Sequence, residues 1–346
     1  LISGGLRNAS TTAAAPATTV LPTGYIIYNN FIIGPAVNLS GASLANIDLS
    51  GAGAANAANL TATKLVSANL AGASIFNIDI SGADLSGATL TGVRSYGLTG
   101  GPTPSATTTR LPTGYFVRAS TSNTGTIVGP AVNLSSLNLQ NIDLSGGITL
   151  TGANLTAADL SGASTNLIGV ITGNLVGADT ATLPTGYVAR NGFIVGPRVV
   201  LRGANLSAQN LTGLDLSGVD LSGANLSNAI LTNVNIHPTT TNLTNTILTG
   251  VVSGGITGAS IATPSSTLPA SYRIRGGFIV GPAVNLTNAA ATGVDLSNVT
   301  LTGANLTGAV LTSAVLTNVT TGALIGAATA TLPTGYIARG TGAPGT

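Results

Sequence analysis

Cysteine, methionine, tryptophan and glutamate are all absent from this chain of 346 residues. Without cysteine, disulfide bonds and thiolate metal sites are excluded, which is compatible with export from the cell. Because methionine is missing even at position 1, we expect that a secretory leader was removed during processing. No apolar run approaches the ~18 residues that a membrane-spanning helix needs. We therefore predict a secreted protein without a membrane span, located in the extracellular space or at a cell surface.

Charge is also scarce. Charged residues make up 6% of the chain, against about a quarter in ordinary soluble proteins. The formal net charge is +2, and the eleven Lys and Arg residues form no cluster longer than Arg273 with Arg275. That distribution is too thin to follow a phosphate backbone, so we predict no nucleic-acid partner. A surface with so little charge does not repel a copy of itself, so the expected partner is the chain itself.

The chain does contain a five-residue period, which is clearest between residues 201 and 236. Large aliphatic residues recur at every fifth position: Leu201, Leu206, Leu211, Leu216, Leu221, Leu226, Leu231 and Ile236. A second series precedes each of them by two residues and is small or apolar except at Gln209: Val199, Ala204, Gln209, Leu214, Val219, Ala224, Ala229 and Val234. A period of five matches neither a helix nor a flat strand, so the chain must turn a corner once per repeat. This pattern predicts a solenoid.

The repeat unit, as in Ala224-Asn225-Leu226-Ser227-Asn228, resembles the A(D/N)LXX unit of the pentapeptide-repeat family. The resemblance implies an all-β fold, a right-handed quadrilateral β-helix in which roughly four repeats make one coil. It also implies that the Leu and the preceding small residue both face inward. Some members of the family mimic DNA and bind topoisomerases through a strongly acidic surface, which a chain without glutamate and with a net charge of +2 does not offer.

A longer repeat is superimposed on the short one. LPTGY or LPASY begins each of five segments, at residues 21–25, 111–115, 183–187, 268–272 and 332–336. Each of these segments continues with two short apolar runs on either side of a tight turn, as at Asn191-Gly192. This pattern predicts a β-hairpin, and a Gly-Pro pair marks the end of its second strand. Asn29-Asn30 and Arg275-Gly276-Gly277 predict the same turn, and residues 120–125 a longer loop. The predicted division is a module exit and linker at 1–20, solenoid modules 1 to 4 at 21–110, 111–182, 183–267 and 268–331, and the start of a further hairpin at 332–346.

The five-residue series slips in places. It weakens at Ala54 in module 1, takes a six-residue step from Leu144 to Leu150 in module 2, and breaks after Ile236 in module 3 before it resumes at Leu243. We expect the extra residues to bulge outward at a corner, because the series resumes in phase. In module 4 the series continues to Leu316. Each module closes with a glycine-rich exit segment such as residues 251–258.

Eight aspartates directly precede a large aliphatic residue of the series: Asp48, Asp79, Asp84, Asp143, Asp159, Asp215, Asp220 and Asp295. One interpretation is a row of carboxylates that binds Ca²⁺, which requires several converging oxygen ligands. The other is that Asp shares this place with Asn as part of the repeat. The second interpretation is favoured, because the glycine-rich nonapeptide pattern of calcium-binding repeats is absent.

Other chemically distinctive residues give no catalytic site. His237 is the only histidine, and without a nearby Cys, Glu or second His it builds neither a zinc site nor a catalytic triad. Asn205–Ser207 and Asn305–Thr307 match the glycosylation pattern only because the repeat places Asn before Leu and Ser or Thr after it. One tyrosine per hairpin is expected to pack the hairpin onto the solenoid: Tyr25, Tyr115, Tyr187, Tyr272 and Tyr336. We predict no catalytic, cofactor-binding or metal-binding residues, no cofactor and no enzymatic activity.

The sequence therefore favours a structural protein that assembles head to tail into an extracellular filament or a surface layer. Open ends of a β-solenoid present unpaired edges that template addition of another chain, and no amphipathic capping helix is predicted here. A binding module is the alternative, either an adhesin or an ice-binding surface suggested by Thr302, Thr307, Thr312 and Thr317. Attachment to a cell surface is compatible with the structural protein and with the binding module. A topoisomerase-binding DNA mimic is the least favoured.

Overall fold

The computed structural model describes residues 21–49, 58–100, 109–119, 125–162, 165–237, 240–258 and 268–338. The chain divides into two compact units, Leu1–Thr185 and Gly186–Thr346. Modules 1 and 2 fall in the first unit and modules 3 and 4 in the second, although the module boundaries themselves remain predictions from sequence. Among the described residues, no helix is long and apolar enough to cross a membrane.

Both units are built from stacked coils with four sides. Parallel backbone pairings join residues twenty apart, as between Asn205 and Asn225 or Asn285 and Asn305, so one coil contains four five-residue repeats. Many of the large aliphatic residues donate their amides to a carbonyl of the next coil, as from Leu206 to Asn225 at 2.8 Å. Every coil therefore satisfies its backbone groups mainly against its neighbours, as in other solenoids. The structure is four-sided and all-β, as the sequence predicts.

Most coil sides are single-residue pairings rather than named strands. The exceptions are two parallel pairs, β3 (Ser74–Phe76) with β4 (Arg94–Tyr96) and β9 (Ile230–Thr232) with β10 (Val252–Gly254). Four antiparallel hairpins lie in the described regions: β1 (Ile26–Tyr28) with β2 (Phe31–Ile33), β5 (Phe116–Ala119) with β6 (Gly125–Val128), β7 (Val188–Arg190) with β8 (Phe193–Val195), and β11 (Arg273–Arg275) with β12 (Phe278–Val280). Two short 3₁₀ turns, Ala178–Thr180 and Ala327–Thr329, close modules 2 and 4.

The hairpins form where the sequence predicts them. Asn29-Asn30, Asn191-Gly192 and Gly276-Gly277 occupy the tight turns, all with positive φ. That conformation is the one that a two-residue hairpin turn requires, and Asn and Gly adopt it most readily. Residues 120–124 of the longer loop predicted in module 2 lie outside the described residues.

The core is a column of the large aliphatic residues. In modules 1 to 3, all described members of the five-residue series are buried, and Leu226 and Leu231 have no exposed surface. Of the preceding series, Gln209 and Leu214 are half-buried, whereas Ala224 and Val234 are buried. Leu316, the last member in module 4, is also half-buried.

The slips are accommodated at corners, as expected. Ser145, Gly146 and Gly147 form a three-residue turn, and both glycines are exposed, while Ile148 and Leu150 on the far side are fully buried. After the break in module 3, Leu243 resumes the column with 1% of its surface exposed. The weak position at Ala54 lies outside the described residues.

Each corner has the same local chemistry. The residue two places after the large aliphatic one adopts a left-handed conformation, as at Asn228 (φ 59°) and Gly250 (φ 71°). Where Gly lies above Asn, the Asn side chain covers the Gly: a Cβ added to Gly250 would lie 2.1 Å from Oδ1 of Asn228. The abundance of Gly and Asn therefore follows from the corners of the coils.

Candidate interaction surface

The Asx residues of the repeat stabilise the corners. Oδ1 of Asp79 accepts the backbone amide of Ser81 at 2.8 Å, and Oδ1 of Asn225 accepts the amide of Ser227 at 2.9 Å. Asp and Asn make the same two-residue turn. Because an amide oxygen serves as well as a carboxylate, the two residues interchange along the series.

The carboxylates do not converge. Among the described residues, each paired aspartate lies beside a residue other than aspartate in the adjacent coil: Asp84 lies between Lys64 and Arg110, and Asp215 beside Asn235. Nδ2 of Asn235 donates to Oδ1 of Asp215 at 3.0 Å. No group of three or more His, Cys, Asp or Glu residues in the described regions is arranged to hold a metal ion. This arrangement supports the interpretation of these aspartates as part of the repeat.

Hydrogen bonding keeps several of these carboxyls acidic. The side chain and the backbone amide of Ser145 hold the pKa of Asp143 below 3.8, and Ser297 does the same for Asp295. Ser161 lowers the pKa of Asp159 in the same way. Burial by itself would raise the pKa of Asp220, but hydrogen bonds from Arg202 and Ser222 outweigh that effect and lower it. These groups stabilise turns and have no geometry for acid–base chemistry.

His237 lies on the exposed loop where the series of module 3 breaks. Its carbonyl accepts the amides of Thr240 and Thr241. Thr241 lies in the core, where it is fully buried. Its hydroxyl donates a hydrogen bond to the carbonyl of Leu216 at 2.8 Å. This histidine therefore belongs to a loop that returns the chain to the column.

The hairpin tyrosines pack within the fold. The hydroxyl of Tyr272 donates to the carbonyl of Pro282 at 3.0 Å, and its ring lies against Gly281, where an added Cβ would be 2.3 Å from the ring. Tyr25, Tyr115 and Tyr187 make the same contact. Burial raises the pKa of Tyr272, and likewise that of Tyr115 and of Tyr187. Tyr336 differs, because 49% of its surface is exposed.

The four threonines of module 4 do not form a plane. Coils pair at a spacing of twenty residues, so Thr302, Thr307, Thr312 and Thr317 lie on four different sides. The Oδ1 atoms of Asn205 and Asn305 both accept amides within their own turns. Neither set forms a recognition surface.

The exit segment of module 3 is covered by the hairpin that begins module 4. The amide of Ile279 donates to the hydroxyl of Ser253 at 2.9 Å, and the amide of Ile256 donates to the carbonyl of Gly277 at 3.0 Å. The ring of Phe278 packs on Gly254, where an added Cβ would be 3.2 Å from the ring. The solenoid thus continues through this junction without a gap.

The same arrangement joins module 1 to module 2. The amide of Ile127 donates to the hydroxyl of Ser95 at 2.8 Å, and the backbones of Leu98 and Gly125 exchange two hydrogen bonds. Ser95 and Leu98 are buried, with 1% and 2% of their surfaces exposed. In these two junctions, a hairpin therefore completes the last coil of the module before it.

The exit segment of module 4 has the same sequence pattern but is uncovered. Leu316, Val319 and Leu324 are half-buried and Thr321 is exposed. We call this surface the open end; it surrounds a cavity of about 600 Å³ without a charged residue, lined by Leu301, Leu306, Leu311, Leu316, Val319, Thr321, Gly322, Ala323, Leu324, Gly326, Ala327, Ala328, Leu332, Tyr336, Ile337 and Ala338. Apolar side chains of the column thus line a cavity in the part of the chain that the structure describes.

A family model described as pentapeptide repeats matches eight copies, at residues 56–92, 200–237 and 283–318. These segments contain the coils with the five-residue period. These three segments consist of pentapeptide repeats. Pentapeptide-repeat proteins form right-handed quadrilateral β-helices and are structural or binding proteins, so the chain has the predicted fold and is not an enzyme.

Solved pentapeptide-repeat structures match over most of the chain. HetL, involved in heterocyst differentiation regulation in the cyanobacterium Nostoc, is 22% identical over 88% of this chain and 92% of its own, with a TM-score of 0.19. QnrB1, a plasmid-mediated fluoroquinolone resistance protein, is 13% identical over 83% and 92%, with a TM-score of 0.14. Rfr23 from the cyanobacterium Cyanothece is 17% identical over 64% and 87%, with a TM-score of 0.12. The curated proteins contain no match to the chain.

The residues that make the junctions were not among the predicted functional residues. Val93, Val251 and Val319 are each followed two residues later by Ser or Thr, and this shared pattern was available in the sequence. The pattern matters because the serine hydroxyl accepts a backbone amide from the hairpin that follows. That amide lies 32 residues after Ser95 and 26 residues after Ser253 in the sequence. A local pattern does not predict such a contact.

Proposed function

We propose that this pentapeptide-repeat protein is a secreted structural protein that assembles by end-to-end stacking into an extracellular filament or a surface layer. The open end of module 4 carries the proposal. There the apolar column ends at Leu316, Val319 and Leu324 without a covering hairpin in the described part of the chain. Burial of such residues against a second molecule would supply the driving force.

The low charge supports the same function. Only 6% of the residues are charged, and the residues that surround the open end include none. Natural sheets protect exposed edges with charged residues or covering elements, and the described residues around this cavity include neither. Two such surfaces can therefore bind each other without removing charged side chains from water.

Binding functions have weaker support. An ice-binding plane would need threonines repeated on one side, whereas those of module 4 lie on four sides. A DNA mimic would need a dense row of carboxylates, whereas the aspartates alternate with neutral or basic neighbours. An adhesin remains the alternative, with the open end as its binding surface and a cell surface as its attachment.

Electron microscopy of the purified chain at neutral pH tests the proposal. We expect filaments or ordered sheets whose mass per length rises with protein concentration. A sedimentation profile that stays monomeric at concentrations up to about 100 μM, well above a typical specific dissociation constant, would contradict it. Measurement of thermal hysteresis on the same sample tests the ice-binding alternative.

A further inference from the structure

The two covered junctions use the same backbone contacts. At the end of module 1 the hydroxyl of Ser95 accepts the amide of Ile127, and at the end of module 3 the hydroxyl of Ser253 accepts the amide of Ile279. At both junctions a second amide of the exit segment donates to the carbonyl of a hairpin glycine, at 2.9 Å in the first and 3.0 Å in the second. Because these contacts are the same, they do not determine which hairpin docks on which exit segment.

One pair of side chains does differ between the junctions. In the exit segments, Tyr96 of module 1 corresponds to Gly254 of module 3. In the hairpins that cover them, Thr126 corresponds to Phe278. The exit segment with the large residue thus receives the hairpin with the small one, and the exit segment with glycine receives the hairpin with phenylalanine.

At the end of module 3 the two positions are in contact. A Cβ added to Gly254 would lie 3.2 Å from Cε1 of Phe278, and the phenylalanine is buried with 9% of its surface exposed. A contact at that distance is already tight, so a longer side chain on the exit segment would have to displace the ring. The glycine therefore leaves the space that the ring fills.

At the end of module 1 the larger side chain is on the exit segment. Leu98 pairs with Gly125 in antiparallel register, which brings Tyr96 alongside Thr126. Thr126 is buried with 1% of its surface exposed, and its hydroxyl has no hydrogen-bond partner among the described residues. Buried hydroxyls are normally paired, so the feature of Thr126 that suits this junction is its small size and not its polarity.

We infer that these size-matched pairs assign each hairpin to its own exit segment, Tyr96 with Thr126 and Gly254 with Phe278. The hairpin of module 4 on the exit segment of module 1 would bring two rings into the space of one. The opposite combination would leave a void between a glycine and a threonine. Proteins built from similar modules are prone to docking an element on the wrong copy, and mismatched contacts suppress such pairings. Both partners lie within one chain, so the inference does not depend on the proposed assembly.

A double-mutant cycle at the first junction tests the match. In the full chain, Thr126→Phe should lower the hydrogen-exchange protection of residues 125–128 by at least about tenfold, because the new ring meets Tyr96. Adding Tyr96→Gly should return the protection to within about threefold of wild type. Residues 278–280 at the other junction are the internal control and should not change. Thr126→Val keeps the volume and should leave protection unchanged, because the hydroxyl that it removes has no partner.

A second experiment tests the assignment of hairpins to exit segments. Gly254→Tyr with Phe278→Thr makes both junctions alike, and the backbone at Gly254 is not left-handed, so a side chain is tolerated there. After dilution from urea at low protein concentration, we expect at least about twofold less chain to regain native protection than for wild type. Adding Tyr96→Gly and Thr126→Phe exchanges the two pairs but keeps them different, with the composition of the wild type. This matched control should refold like wild type.

Each contrary outcome overturns a defined part of the inference. If Tyr96→Gly does not rescue Thr126→Phe, the two positions are not a matched pair. If Thr126→Val lowers protection as much as Thr126→Phe, the hydroxyl and not the size is what matters. If the variant with two alike junctions refolds as completely as wild type, the pairs pack well but do not assign the hairpins.

Discussion

Modules 3 and 4 end with the same exit pattern but in different surroundings. Leu248 and Val251 are buried beneath β11 and β12, whereas the corresponding Leu316 and Val319 are half-buried beside a cavity. The local sequence of the exit segment is thus compatible with both a covered and an uncovered last coil. The difference shows that a pentapeptide coil is completed by the element stacked on it, and that the described residues leave apolar side chains of the module 4 coil accessible.

Truncation of the last core leucine in each module should have the largest effect on stability. Leu248→Ala leaves a cavity inside a covered coil and should lower the free energy of unfolding by about 2–5 kcal/mol. Leu316→Ala should cost roughly 1 kcal/mol in the dilute monomer, because solvent already reaches the site. Urea denaturation measures both. Equal losses would show that Leu316 is as well covered as Leu248.

The corners offer a second comparison. Gly255, with φ 65°, lies above Asn233, and an added Cβ would be 2.1 Å from Oδ1 of that residue. The corresponding residue in module 4 is Ala323, with φ 49°, and the coil below it has Gly303 at the corner. Gly255→Ala should therefore cost about 1–3 kcal/mol.

Removal of the obstructing side chain should rescue this corner. Asn233→Gly recreates the combination found in module 4 and should recover part of the stability lost in Gly255→Ala, measured as a coupling energy in a double-mutant cycle. Additive effects of the two substitutions would show that the contact with Asn233 is not the cause.

Substitutions of Ser253 and of Thr321, which occupy matching positions in the two exit segments, should change the stability by different amounts. Ser253→Ala leaves the buried amide of Ile279 without its acceptor and should cost about 1–3 kcal/mol. Thr321→Ala should change the stability of the monomer by less than about 0.5 kcal/mol, as expected for an exposed site. Thermal unfolding at low protein concentration measures both. A large loss at Thr321 would indicate that its hydroxyl is already engaged in the monomer.

Acid should weaken the corners that Asp143 and Asp295 stabilise. Hydrogen bonds from Ser145 and Ser297 lower the folded-state pKa of these carboxyls, so their stabilising contribution is present above the ordinary aspartate pKa and is lost as pH falls through the lowered values. The urea midpoint should therefore fall as the solution is acidified below the ordinary pKa of aspartate.

Asp→Asn variants at the same two positions are the matched control. Asn keeps the acceptor for the amide of Ser145 or Ser297 and does not titrate, so the decrease of the midpoint should become smaller. An unchanged pH dependence in the double variant would exclude these turns as its source.

Much of the fold could be predicted because its determinants are local. The spacing of Leu201 to Ile236 indicates the coil and its inward face, and Asn191-Gly192 indicates a hairpin turn. The junctions could not be predicted in this way. Ser95 and Ile127 are brought together by stacking, although 32 positions of sequence separate them. The exposure of Leu316 was missed for the same reason, because it depends on what covers the coil.

Hydrogen–deuterium exchange at two concentrations tests most directly whether the end of module 4 is an uncovered copy of the end of module 3. We expect slow exchange at residues 251–256 in both samples. We expect fast exchange at residues 319–324 in the dilute sample and slow exchange when the chain is concentrated enough to assemble. Protection of residues 319–324 that is equally strong at both concentrations would contradict it.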